Sequence, residues 1–319
     1  MKIFKKISLV FAIVLLMVSS LSFINLKTVK AADNSNPQYV VGTTKNVSSA
    51  IALMGKNLRG YTSNNVNVDV KTYNSTAELN AAIKEGTVNA AVTDLVNYAG
   101  ISKDAKDWKL AGTMPGYNAL VANKKYKNVK KLKGQTIAVD KSDYSKFYLT
   151  KVLKKNKMKL SDVKLQQVDA EADRVSSLKD GKIAAAVLSD PSISEAKVNG
   201  DKVIAKDKIS GTNGNVLIIN NKFAKKNGSA TQILCYVIND EIKTINKSNT
   251  YSLTNNSFSE YGVGSGAIKK LNDMEVKFNK MHKVKKSCYN AAFKYAKKQK
   301  LYSGQISIKG HQMKIKGVK

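Results

Sequence analysis

The chain is short of the residues that build most catalytic and metal centres. Its 319 residues include 2 histidines, 2 cysteines, 3 prolines and 1 tryptophan. His282 and His311 lie late in the chain among lysines, so neither a Ser-His-Asp triad nor a histidine-based metal site is expected. No G-x-S-x-G or Walker A sequence occurs. Gly262-Val263-Gly264-Ser265-Gly266-Ala267 fits the dinucleotide fingerprint only loosely, because no clear strand precedes it. It reads as a turn into a helix starting near Ile268, and no cofactor is expected. Arginine is scarcer still: Arg59 and Arg174 stand against 52 lysines. Nucleic-acid readers depend on the planar guanidinium for bidentate contacts, which the compact ammonium does not offer. The net charge of +31 therefore indicates solubility or loose attraction to polyanions, and no nucleic-acid partner is expected.

What is present is a globular composition, 43% hydrophobic and 24% charged, on a length of about two domains. The opening segment has the form of a secretion signal. Lys2, Lys5 and Lys6 precede an apolar run from Ile7 to Ile24, and Val29-Lys30-Ala31 places small residues at a cleavage site. Cleavage after Ala31 is expected, the alternative being an uncleaved anchor. No cysteine precedes Cys235, so no lipid-modified cysteine ends the signal. Removal of residues 1–31 takes five lysines and no acid, leaving a net +26. An exported, extracellular protein is expected.

Downstream, β-like runs alternate with helical patterns. Tyr39–Gly42 reads as a strand, and Asn46 or Ser48 caps a helix to Leu58. Residues 66–73 alternate as a half-buried strand; Ser75 or Thr76 caps a helix ended by Gly86; residues 88–92 form the next strand. A second unit has strands at 135–139, 163–168 and 183–188, with helices from Asp143 to about Lys155 and from Ala172 to Lys179. EGTVNAAVTD (85–94) and DGKIAAAVLSD (180–190) rhyme. Two similar α/β lobes with mostly parallel sheets follow. Strands at 110–114 and 118–122 flank Pro115-Gly116, and Gly211–Gly214 precedes a strand at 216–219. Read as inter-lobe crossovers, they divide the chain into lobe I (37–116 plus 215–303) and lobe II (117–214), followed by a basic C-terminal tail (304–319). Beyond Ser229 the pattern is helical, and the tail is a short β addition or a loose end.

LKGQTIAVD (132–140), SLKDGKIAAAVLSDP (177–191) and EGTVNAAVTDL (85–95) resemble the type-2 periplasmic binding proteins of the nitrate, sulfonate and thiamine-precursor group. The resemblance covers roughly residues 39–220 and rests on order and spacing. It implies an α/β, two-lobe type-2 periplasmic-binding-protein fold, with a ligand cleft between the lobes and a helical C-terminal part. It also implies a receptor that delivers a small-molecule solute to an ABC permease in the membrane, without catalysis. A wall-associated adhesion protein on the same fold, held by charge, and an enzyme of that fold are the alternatives.

In such sheets ligands bind at the carboxyl ends of strands, where the following helices begin. That places candidate ligand-binding residues at Thr43, Thr44, Lys45 and Asn46, then Thr93, Asp94 and Tyr98, then Tyr117 at the crossover. In the second lobe they are Asp140, Ser142 and Tyr144, with Ser189, Asp190 and Ser192. Asp94, Asp140 and Asp190 could equally cap turns or helices. Three acids at strand ends favour a neutral or zwitterionic, partly aromatic solute over a purely anionic one.

Cys235 and Cys288 each fall on an apolar helix stripe, which leaves open a disulfide or two buried free thiols. The lysine excess is regional: residues 269–319 carry net +13 and residues 122–160 net +11. These stretches are candidates for electrostatic association with an anionic cell wall or membrane surface, or for an ordinary solvated face.

Overall fold

Two five-stranded mixed sheets organise the chain, and both follow the same strand order. The structure is a computed structural model that describes residues 38–208, 214–249 and 251–318. The signal-like segment and residues 211–213 of the second crossover lie outside the described residues.

The first sheet takes β1 (Tyr39–Thr44), β2 (Val68–Tyr73), β3 (Ala90–Asp94) and β4 (Trp108–Thr113), interleaved with α1 (Val47–Asn57), α2 (Thr76–Glu85) and α3 (Leu95–Ile101). The second takes β5 (Asn118–Ala122), β6 (Thr136–Val139), β7 (Lys164–Gln167), β8 (Ala185–Ser189) and β9 (Lys202–Lys206), with α4 (Tyr144–Lys155), α5 (Glu171–Lys179) and α6 (Ser192–Val198). The chain then returns to the first sheet as β10 (Asn215–Asn220). Helices α7 (Asn221–Lys226), α8 (Gly228–Ser248), α9 (Asn255–Glu260), α10 (Ser265–Asn272) and α11 (Lys286–Lys298) complete it.

The orders are β2-β1-β3-β10-β4 and β7-β6-β8-β5-β9. In each sheet one strand runs against the others: β10 is antiparallel to β3 and β4, and β5 to β8 and β9. These reversed strands are the two that arrive across the lobes. The edge strand β9 was not anticipated from the sequence. Only Val203-Ile204-Ala205 between two exposed lysines carries its apolar signal.

Period-two alternation in β10 shows how the core is divided. Leu217 and Ile219 join a cluster with Tyr39, Val41, Ile51 and the α8 residues Leu234 and Ile238. Val216 and Ile218 face the other way, into a cluster with Tyr98 and Phe293 that continues into the second lobe through Leu120, Ile137 and Leu149. Each such side chain contributes roughly 1.5–3 kcal/mol on burial. The tail is a β addition: Leu110 bridges Gln312, and Ile315 and Val318 are buried.

The two cysteines are free thiols, which corrects the disulfide expectation. Cys235 lies in the first cluster. Cys288 is exposed, one position off the stripe formed by Tyr289, Ala292, Phe293 and Ala296 that α11 buries.

Candidate functional site

The helices that follow parallel strands begin at a shared cleft, and their capping residues line it. Asn46, Ser75 and Asp94 precede α1, α2 and α3; Asp143, Ala170 and Pro191 precede α4, α5 and α6. All six line one of two adjoining cavities, of about 590 and 70 Å³, which share Thr44, Thr76, Asp143 and Glu171. The reversed strands enter at matching points: Asn215 pairs with Asp94 in the first sheet, and Asn118 with Ser189 in the second. All four residues line the smaller cavity. The rhyme between residues 85–94 and 180–190 thus equates Asp94 with Ser189 and leaves Asp190 one residue beyond the cleft.

At four of the six helix starts a capping side chain already takes first-turn N–H groups, whereas Ala170 and Pro191 give α5 and α6 no such cap. Asp94 Oδ1 accepts from Val96 N at 2.7 Å and Asn97 N at 2.8 Å. Asp143 Oδ1 accepts from Ser145 N at 2.7 Å, Asn46 Oδ1 from Ser49 N at 3.1 Å, and Ser75 Oγ from Glu78 N at 3.2 Å. Glu171 accepts from Ser189 N at 2.8 Å and Ser189 Oγ at 3.0 Å.

Charge in the cleft has the opposite sign to the protein as a whole. Seven of the chain's 23 acids line it: Glu78, Asp94, Asp143, Asp169, Glu171, Asp173 and Glu195. Among the described residues its only cationic side chains are Lys45 and Arg174. The Arg174 guanidinium is buried and spent on the main-chain carbonyls of Val168, Val187 and Asp169, at 2.8, 3.0 and 3.1 Å. Burial pushes Asp94 up to about 6, against the backbone N–H groups of Asn97, Val96 and Tyr144. Burial, then the neighbouring Asp140, holds Asp143 well above the ordinary carboxylate value, with Arg174 opposing. Glu171 is raised by burial against Arg174, and Glu195 by burial against Lys45.

Of the residues singled out from the sequence, Thr44, Lys45, Asn46, Thr93, Asp94, Tyr144, Ser189 and Ser192 line the cleft. The structure does not bring the others to it. Thr43 is fully buried in β1, its Oγ1 donating to Thr44 O. Tyr98 is fully buried, its hydroxyl donating to Trp108 O, because its position on α3 faces α11. Asp140 is buried and accepts from Ser142 N, Ser142 Oγ and Gln167 Nε2, so Asp140 and Ser142 form a closed turn. Asp190 is buried and accepts from Ser194 and from the Tyr117 hydroxyl. Tyr117 lines a different cavity, with Lys197 and Met274.

Sequence reasoning missed most of the acids. Asp143 was placed as a helix start, and Glu171 and Asp173 open α5 at the carboxyl end of β7. The strand-end rule applied to that third parallel strand would have found them. Tyr261, Gly262 and Val263 also line the cleft. Their loop leads into α10, which begins at Ser265 rather than near Ile268.

The fold and cleft define a two-lobe α/β protein with a solute-sized cavity between its sheets. A family model described as NMT1/THI5 like matches residues 46–240, so the chain belongs to that family. Its fold is shared with the alkanesulfonate-binding protein of Xanthomonas axonopodis pv. citri bound to MOPS, at TM-score 0.74 and 15% identity over 86% of this chain and 97% of that one. The periplasmic aliphatic sulphonate-binding protein of Escherichia coli follows it at TM-score 0.69 and 15% identity, over 89% and 94%. The ligand-binding component of an ABC-type import system from Staphylococcus aureus gives 0.71 and 12%, over 86% and 96%. No curated protein matches in sequence. The type-2 binding-protein group indicated by the sequence motifs is thus the one to which the fold and the family point.

Proposed function

We propose that the chain is a solute receptor whose lobes close on a small molecule and present it to an ABC permease, with no catalytic step. The observation that carries this reading is the cleft itself. Six helix starts from two topologically matching sheets converge on two adjoining cavities of about 590 and 70 Å³, the larger within the range of small-molecule sites. Such lobes close about a hinge and bury the solute between them. The family match and the relatives named for sulfonate binding and ABC-type import support it. A thermal-shift screen of amines, amino-acid-like solutes, pyrimidines, flavins and sulfonates tests it. A solute that binds only the native state raises the melting temperature in proportion to ln(1 + [L]/Kd). Salt-sensitive adsorption to anionic polymers, with no solute shifting the melt, would instead select an adhesion protein.

The same reading places the protein outside the cell, exported by residues 1–31. The lysine-rich stretches 122–160 and 269–319 hold it electrostatically near an anionic wall or membrane surface. Among the described residues no helix is long and apolar enough to cross a membrane. High salt is expected to release the protein from whole cells; retention in high salt would overturn the electrostatic tether.

A further inference from the structure

The cleft's charge says what kind of solute belongs there, granted the receptor reading on which this inference rests. A receptor for an anion keeps main-chain N–H groups free at its helix starts and concentrates positive charge there. Here the side chains of Asp94, Asp143, Asn46 and Ser75 already take first-turn N–H groups of their own helices. Among the described residues seven carboxylates line the cavities, yet only one lysine does, Lys45. A protein that is basic almost everywhere else has collected nearly a third of its acids in one place.

We infer that the solute is an organic cation carrying N–H donors, a protonated amine or a guanidine. Carboxylates from both lobes receive it, with Asp94 on one side and Asp143 and Glu195 on the other. Such a charge would bridge the lobes and favour closure, since it satisfies acids that otherwise face one another across the cleft. Tyr261 lines the larger cavity and Tyr144 the smaller, and aromatic faces attract cations. Burial, with repulsion from Asp140 added, pushes Asp94 and Asp143 toward protonation, so a bound cation would drive protons off them. Among the described residues no group of three or more His, Cys, Asp or Glu could hold a metal ion. The carboxylates are spread along the cavity, as a chain of donors requires, rather than gathered on one point.

Isothermal titration calorimetry with putrescine, spermidine, agmatine and arginine tests this, with ethanesulfonate, nitrate, uracil, Zn²⁺ and Ca²⁺ as comparisons. At least one amine or guanidine should bind, with an apparent enthalpy that varies with the buffer's ionisation enthalpy because protons are released. Asp94→Asn, which keeps an accepting oxygen for the α3 cap, and Glu195→Gln should each weaken that binding by about tenfold or more. Binding of ethanesulfonate, nitrate or uracil with none of the cations would overturn the charge inference and leave the receptor reading intact. A metal ion as the sole binder would do the same. Failure of every probe, cations included, would count against both.

Discussion

Asp94 and Asp143 reach one cleft from opposite lobes, each capping the first turn of the helix behind it. Each carboxylate therefore has a structural role toward its own helix and an electrostatic role toward the space between the lobes. The two roles separate experimentally, because asparagine keeps the accepting oxygen and loses the charge.

The structural role sets the first prediction. Asp94→Ala leaves the N–H groups of Val96 and Asn97 without their acceptor and should cost about 1 kcal/mol of unfolding free energy. Asp94→Asn should cost less, since asparagine caps as well as aspartate. Urea melts of the three proteins decide it, and equal losses for both variants would show that the cap contributes nothing.

A second prediction concerns Glu241 on α8, which is 7% exposed and is pushed up to about 8 by burial, then by Asp240. The folded state holds this proton up to about pH 8, whereas the unfolded chain releases it near 4.5. Between those values the unfolded state binds fewer protons, so stability falls as pH rises through the window. Glu241→Gln removes the dependence. It should gain on the order of 1–3 kcal/mol near pH 8–9 and little near pH 5. A gain independent of pH would refute the assignment.

The thiols make a third. Cys288 is exposed, whereas Cys235 is buried and pushed by burial up to about 12. A thiol-reactive dye should modify one cysteine in the native protein and both after unfolding, because the thiolate is the nucleophile. Two protected sulfurs in the unreduced, unfolded protein would instead indicate a disulfide.

Closure of the lobes is probed at Gly214, which heads β10 with φ of +91°. A Cβ there would lie 2.5 Å from Tyr144 Cε2 of the second lobe. Gly214→Ala should weaken solute binding and enlarge the radius of gyration in small-angle scattering, as the ring and the new methyl separate the lobes. Gly181→Ala is the control: its φ is +70° but a Cβ meets nothing within 4 Å, so only a left-handed strain of about 1–2 kcal/mol is expected. An unchanged radius in Gly214→Ala would mean that Tyr144 swings aside at no cost.

Much of the fold was legible because it is local. The caps Asn46, Ser75 and Asp143, the stop at Gly86 and the alternation through residues 68–73 are signals of a few residues. The site was legible only in part. A strand-end rule finds Thr44, Asp94 and Ser189, but it cannot tell Asp190 from Ser189. One residue's step along a strand turns a side chain from the cleft to the interior, and there Asp190 binds Tyr117 and Ser194 instead. Tyr98 shows the same limit on a helix, where the packing of α3 against α11 decides which face is buried.

By itself the sequence determined two rhyming α/β units and the places where their helices begin, since these follow from spacing and composition. It also showed a protein far more basic than acidic. Only the tertiary structure decided that the acids gather where six helix starts meet. Charge adds over the whole chain, but the field a solute meets depends on which side chains share one cavity. Those seven acids come from six separate elements and turns between residues 78 and 195, brought together by two sheets that exchange a strand.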